Sequence, residues 1–588
     1  MAVMLQAFYQ VGRSGVPCPM DGGPTSVWWW DHLAAEAKLL RKAGFTALWL
    51  PPVNKGALGL RSVGYDVFDD YDLGSKDQRG AIPTRYGSRE QLQRCVAMCR
   101  ANGLEVYLDL VENQRSAGAG PPCFPIYYKD AFGNPRGGRF EKDALCFHPN
   151  VPEDPNVFGT PRIPEVSFGL DLAPINGQPP RQVFDGLVDS ADWVTRALDV
   201  QGYRIDDVKG ISTDFLLPFL DSKSMAGKFA VGEFFDGDLE LLRHWVFDSR
   251  GMRGRTSAFD FPTRFKLAEM CNRLVSFDMA SLDHAGLAGS DPFSAVTFVE
   301  NHDTDTSPSL EPIVRNKALA YAYILTSEGY PCVFYKDYSV DEGCYGMKDV
   351  IDNLMWIHEH LAEGPTQERW KDRDVFAYER LGGPHLLVGL NNDAQQARTV
   401  SVASDFGPGV CLHDYCGHGR DLLTDGTGRF TLTIPPNVDG MGYVAYSRVG
   451  IAGETLVIPR SVTQVFEGAK DLDTLPAMEG RELQVCRVWC RANTAISATL
   501  HINVARWCPV TCLTLKLHSP TDAVIVATQY RHAEEAELGL CAIAVVTGYY
   551  SFHVQLSGTA FDAAEQPYSL SVAYQAPQCF EVEHPVTT

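Results

Sequence analysis

Three acidic residues in this chain each close a short run of β-branched or aromatic residues: Asp206 in GYRIDDVKG, Glu233 in AVGEFFDG and Asp303 in FVENHD. Runs of that composition read as strands, which predicts the three carboxyls at strand ends. Carboxyls so placed could cleave a glycosidic bond. One protonates the leaving oxygen while another faces an oxocarbenium-like centre, directly or through water. Arg204 lies two residues before Asp206 and therefore on the same strand face, where its permanent cation would hold that carboxylate ionised. Glu233 would have to stay protonated, and Phe234, Phe235 and nearby Asp side chains could raise its pKa through burial and negative charge. Taken singly, each feature also has a plainer reading: a surface ion pair, a loop glutamate, an Asn-His-Asp turn.

What would give these residues joint meaning is a scaffold that gathers strand ends. Over the first 340 residues, short strand-like runs alternate with longer segments of helical period, the pattern of a parallel sheet covered by helices. Strands are predicted at 3–9, 47–51, 105–111, 202–206, 229–234, 258–261, 295–299 and 332–335, with helical segments such as 31–42, 89–102 and 316–327 between them. This predicts an α/β fold of the (β/α)8 TIM-barrel type, in which side chains at the C-terminal strand ends converge on one mouth. The barrel is assigned to 1–113 and 171–371, and the Gly-, Pro- and aromatic-rich stretch 114–170 to an insertion after strand three. Alternating strands with turn signals assign 372–449 to an antiparallel β-sheet domain, 450–481 to a linker and 482–588 to a β-sandwich.

A chain of 588 residues with 45% apolar and 21% charged residues should fold into several domains. Its 73 acidic against 51 basic residues, a formal charge of −22, disfavour nucleic acid or anionic lipid as partners and leave room for a neutral substrate. No apolar run approaches the ~20 residues that span a bilayer, so membrane anchoring is not expected. Residues 1–10 carry no export signal as written, which leaves location open between the cytoplasm and secretion as a mature form. The pairs Cys486/Cys490 and Cys508/Cys512 mimic zinc-ligand spacing. In strands, however, residues four apart lie roughly 13 Å from one another, too far to share an ion at ~2.3 Å, so these thiols are expected in cores.

The three acidic segments, together with GYDVFDDYDLG (64–74) and LDLVEN (108–113), resemble in order, spacing and strand position the signature regions of the α-amylase family, glycoside hydrolase family 13, in its bacterial members. The likeness runs over about residues 3–450. It implies retaining endo-hydrolysis of α-1,4-glucan, with Asp206 as nucleophile, Glu233 as general acid and base, and Asp303 binding sugar hydroxyls as the ring flattens. It also implies that Tyr65 stacks on the sugar at the cleavage point, His302 hydrogen-bonds it and Lys209 reaches the reducing-side sugars.

Three positions depart from the family pattern. The strand-three motif usually ends in Asn-His and here ends in Asn113-Gln114, so an amide replaces the imidazole that would bond the sugar's hydroxymethyl group. After Lys209 the usual His is Gly210, which retains only its backbone carbonyl, and Glu300 replaces the Asp before Asn-His. The resemblance also implies a structural Ca2+, for which Asn113, Asp171 and the Gly210 carbonyl are partial matches.

The segment 548–574 looks like the closing hairpin of the terminal sandwich, with Trp489, Trp507, Tyr549 and Tyr550 as possible sugar platforms, although a structural role is favoured. Two other readings stand beside the main one. One is a maltodextrin hydrolase or transglycosylase of the same family. The other is a non-catalytic glucan-binding scaffold, against which the presence of all three acids and Arg204 argues.

Overall fold

The computed structural model describes residues 2–581 except 12–13, 20–26, 117–127, 130–134, 137–138, 141, 160–164, 167–168, 179–180, 274–275, 306, 469–481, 504–511, 532–534 and 558–567. Eight parallel strands close into a barrel in chain order. They are β1 (Met4–Gln6), β2 (Ala47–Trp49), β3 (Glu105–Leu110), β4 (Gly202–Ile205), β5 (Phe229–Gly232), β6 (Ser257–Phe259), β7 (Ala295–Phe298) and β8 (Tyr330–Phe334). Every expected strand is present. Most are shorter, because the last residues of each run leave the ladder and turn into the mouth.

Helices follow the strands and cover the barrel: α1 (Trp29–Ala43), α2 (Arg89–Ala101), α3 (Gln182–Leu198), α4 (Thr213–Leu220), α5 (Leu239–Phe247), α6 (Phe261–Arg273), α7 (Lys317–Thr326) and α8 (Lys348–His360). The start of α2 is set locally. The Ser88 hydroxyl accepts from the Gln91 backbone N–H at 3.3 Å, and the Gln91 side chain accepts from the Ser88 N–H at 2.8 Å. Such a capping box stabilises a helix start by about 1 kcal/mol. At the end of α1, Gly44 takes φ 115°, a conformation open to glycine, and closes the helix.

In the insertion, Gln114–Arg115, Gly169–Asp171 and Glu165–Val166 pair as a small antiparallel sheet. A buried ion cluster ties it to the barrel. Asp70, in the loop after β2, meets Arg115 and Lys142 at 2.6 Å each, and Arg115 also meets Glu112 at 2.9 Å. The two cations hold Asp70 down at about 2 despite its burial.

The antiparallel domain starts earlier than expected, at strand Thr366–Lys371, which pairs with Val375–Arg380. It has a core of its own, built on residues such as Val375, Leu387, Leu432 and Val444, while Phe376, Leu386 and Tyr443 join the main core. The sandwich also begins earlier. Strand Val462–Gly468, inside the stretch assigned to a linker, pairs with Tyr568–Tyr574. The expected hairpin over 548–574 is not one. Gly548–Ser557 pairs with Glu482–Cys490 and Cys512–His518 in one sheet, while Tyr568–Tyr574 lies between Val462–Gly468 and Ala495–Asn503 in the other. Adjacent strand-like runs look the same from sequence whether they pair or cross between sheets.

The sandwich docks on α2 and α3. Arg196 meets Glu467 at 2.6 Å, Arg487 meets Glu90 at 3.0 Å, and Gln464 donates to the Gln93 carbonyl at 3.0 Å. Its aromatics serve this packing. Tyr550 is fully buried, and Trp489 lies edge-on to Tyr549 at 4.7 Å, with Arg94 and Arg487 over the Tyr549 ring. The platform reading therefore fails for Tyr550, and Trp507 lies outside the described residues. Cys486 and Cys490 are both buried on strand Glu482–Cys490, while Cys508 lies outside the described residues.

Gly232 ends β5 immediately before Glu233, and a Cβ there would lie 2.3 Å from the Trp245 ring on α5. Gly232→Ala should therefore overpack the barrel wall and destabilise the protein by about 1–3 kcal/mol, seen as a lowered melting temperature.

Candidate active site

The centre of the barrel mouth is one guanidinium. Arg204 on β4, 1% exposed, is the register partner of Asp109 on β3, and both side chains point inward. Arg204 Nη1 meets Asp109 Oδ1 and Asp206 Oδ1 at 2.7 Å each, and Nη2 meets Glu233 Oε2 at 2.8 Å. One planar cation thus links the ends of three neighbouring strands, the geometry for which a rigid fork of donors is suited.

Asp109 is held from its other side, where the Tyr65 hydroxyl and the Trp49 indole N–H donate to Oδ2 at 2.9 and 3.1 Å. Burial raises its pKa to about 6 in spite of Arg204. The sequence reading passed over Asp109 and Trp49. The available signal was an Asp inside the apolar run EVYLDL, since a buried charge needs a partner.

Glu233 is buried, and its pKa stands well above that of an ordinary glutamic acid. Desolvation is the main cause, opposed by Arg204 and reinforced by the charges of Asp206, Asp303 and Asp207. The contact with Arg204 alone would favour the anion. Burial beside several carboxylates outweighs it. The Asp207 N–H also donates to Glu233 Oε2, at 3.1 Å, and fixes the orientation of the carboxyl.

The structure brings the remaining predicted residues to the same mouth. Asp303 is the most open of the three acids, with 43% of its side chain exposed. His302 is buried, and the Gln6 amide N–H donates to its Nδ1 at 2.9 Å. The proton of the neutral ring is then on Nε2, 3.3 Å from Asp303 Oδ2. Burial lowers the His302 pKa and keeps the ring neutral. Tyr65 stacks on His302 with ring centres 5.3 Å apart and an interplanar angle of 3°. Gln114 donates to the Tyr65 carbonyl at 3.2 Å and reaches Asp206 Oδ2 at 3.5 Å. Lys209 is at the rim, its ammonium 2.7 Å from Asp236. Glu300 lies below, paired with Arg264 at 2.6 Å.

Beside the mouth, a Cβ at Gly210 would lie 2.7 Å from the Asn113 amide oxygen, so the two positions are in close contact. The Asn113 amide nitrogen is buried with no hydrogen-bond partner. Asp171 forms a group with Glu153 and His148 whose ligand atoms lie within 4.8 Å of one another.

No family model matches the chain. It is 29% identical over 488 residues to an α-amylase of Geobacillus stearothermophilus, covering 74% of this chain and 84% of that protein. It is 28% identical over 468 residues to the cytoplasmic α-amylase of Escherichia coli K12, covering 68% of this chain and 92% of that protein. The γ-cyclodextrin glucanotransferase (CGTase) structure from an alkalophilic Bacillus clarkii shares the fold at TM-score 0.54 and 16% identity, over 98% of this chain and 97% of that one. The chain is α-amylase-like, as its five ordered motifs implied.

Asp109→Asn removes one of the three carboxyl groups that meet the buried Arg204. At pH 7 it is expected to cost about 3 kcal/mol of stability and to lower the melting temperature accordingly.

Proposed function

We propose that this α-amylase-like chain hydrolyses internal α-1,4-glucosidic bonds of starch, glycogen and maltodextrins with retention of anomeric configuration. The observation that carries the reading is the joining of Asp206 and Glu233 through one Arg204 guanidinium, which keeps the two carboxyls close together in one cleft. Close spacing is what a covalent, double-displacement route requires.

Asp206 attacks the anomeric carbon while Glu233 gives its proton to the departing glycosidic oxygen. Glu233, now a carboxylate, takes a proton from water, which displaces Asp206 from the sugar. Arg204 holds Asp206 in place for the attack at 2.7 Å, and the raised pKa of Glu233 supplies the acid. The exposed Asp303 carboxylate and the Nε2–H of His302 face sugar hydroxyls, and Gln114 donates beside Asp206. Tyr65 offers its ring to the sugar at the cleavage point. Lys209 reaches the reducing-side sugars from the rim.

The side-chain oxygen of Asn113, the carboxylates of Asp171 and Glu153 and the Gly210 carbonyl would be oxygen donors of the kind Ca2+ takes, with a ligand oxygen of Asp171 within 4.8 Å of one of Glu153. A cation there would pin the insertion to the loops after β3 and β4.

Reducing-sugar release from soluble starch, with proton NMR of the first product, tests the assignment. Asp206→Asn and Glu233→Gln are each expected to lower kcat by about 10²–10⁴-fold or more, and the first product should be the α-anomer. Starch binding without release, unaffected by either change, would overturn it in favour of a scaffold.

The pH profile follows from the same geometry. A raised pKa keeps Glu233 protonated, so rate is lost as pH rises through that pKa. Asp207→Asn preserves the backbone N–H to Glu233 but removes a charge that raises its pKa. The alkaline limb of kcat/KM should therefore move to lower pH in this variant.

A further inference from the structure

Three potential metal ligands converge on the outer face of the terminal sandwich, far along the chain from the barrel acids. Glu482 begins strand Glu482–Cys490, His518 ends strand Cys512–His518, and His553 lies on Gly548–Ser557, which pairs with both. Glu482 Oε1 is 3.1 Å from His518 Nε2 and 3.1 Å from His553 Nδ1, and the two imidazoles are stacked with centres 4.0 Å apart. All three ligand atoms lie within 4.8 Å of one another.

The protonation pattern shows what these atoms lack. His518 Nδ1 is 2.9 Å from Asp522 Oδ1, an oxygen that can only accept, so Nδ1 carries the proton. In the neutral ring Nε2 is then a lone pair. It is buried, finds no hydrogen-bond partner, and points at a carboxylate oxygen that is itself an acceptor. The residue as a whole is only 7% exposed. His553 Nε2 is 2.9 Å from the Ser551 hydroxyl, which leaves its Nδ1 facing the same Glu482 oxygen. A proton on one ring would satisfy one of these contacts. A single divalent ion satisfies both.

We propose that Glu482, His518 and His553 bind a divalent transition metal of the zinc type. Two imidazole nitrogens and one carboxylate oxygen suit zinc rather than the hard-oxygen cations, and leave a fourth position for water. Ligands about 2.0–2.1 Å from a tetrahedral zinc stand roughly 3.3 Å apart, close to the spacing of the unfilled set. Asp522 on the far nitrogen of His518 fixes the tautomer, the arrangement by which a carboxylate orients a metal-bound histidine. Lys516 occupies the other oxygen of Glu482 and leaves Oε1 for the metal. The ion would staple three adjacent strands of one sheet.

The test is calorimetric titration of the metal-free full chain with zinc chloride alone, beside Asp522→Asn and the double variant H518Q/H553Q. One zinc equivalent is expected in the parent chain and absent from the double variant, with affinity reduced about 10–100-fold in Asp522→Asn. The same number of zinc equivalents in the double variant, or no uptake by the parent chain, would overturn the proposal. The exposed thiols of Cys411, Cys541 and Cys579 are common to all three proteins, so the difference reads this site alone. Starch hydrolysis reports on the barrel independently. Asp522 has 86% of its side chain exposed, so its replacement leaves folding intact. Unchanged zinc affinity in that variant would also sink the idea.

Discussion

The structure depends on one buried cation. Arg204 sits where three carboxyl groups of adjacent strands converge, and taking a guanidinium out of water is tolerable only with close, well-aligned anions. Three carboxylates against one cation overcompensate it, and the excess negative charge favours a proton on one of them. Glu233, buried and next to Asp206, takes that proton, while Asp206 keeps the direct contact with Arg204. On the proposed mechanism, the division between an acid and a nucleophile would come from a charge imbalance built into the barrel mouth.

The surrounding elements keep this arrangement dry and rigid. Trp49 and Tyr65 close over Asp109, and His302 packs against Tyr65 and Phe8, so Asp109 and Tyr65 are each held by partners besides Arg204. The insertion is fastened by the separate Asp70–Arg115–Lys142 cluster, which leaves its loops anchored beside the mouth. The sandwich contributes from outside, through ion pairs to α2 and α3 on the helical shell. Sandwich and barrel share one continuous apolar core, to which the antiparallel domain adds Phe376, Leu386 and Tyr443 while building a second core of its own.

Much of this was legible in the chain. All eight barrel strands lie where period and composition put them, since a buried parallel strand needs a continuous apolar run and its covering helix an amphipathic one. The acids were legible as well, because a carboxyl ending such a run has few structural uses. The boundaries of the β domains were less so. Strand Val462–Gly468 read as linker, and 548–574 read as a hairpin, because pairing partners in an antiparallel sandwich are set by contacts distant in sequence.

By itself, then, the sequence determined the barrel and the strand ends that carry Asp206, Glu233 and Asp303, which rest on local period and residue type, but not Asp109 or Trp49. Only the tertiary structure decided how those residues share charge. Asp109 is 95 residues from Arg204, Glu233 is 29, and Glu482, His518 and His553 come from three separate strands. Which of these groups holds a proton, and which could hold a metal, follows from distance and burial, and neither is written in the order of the chain.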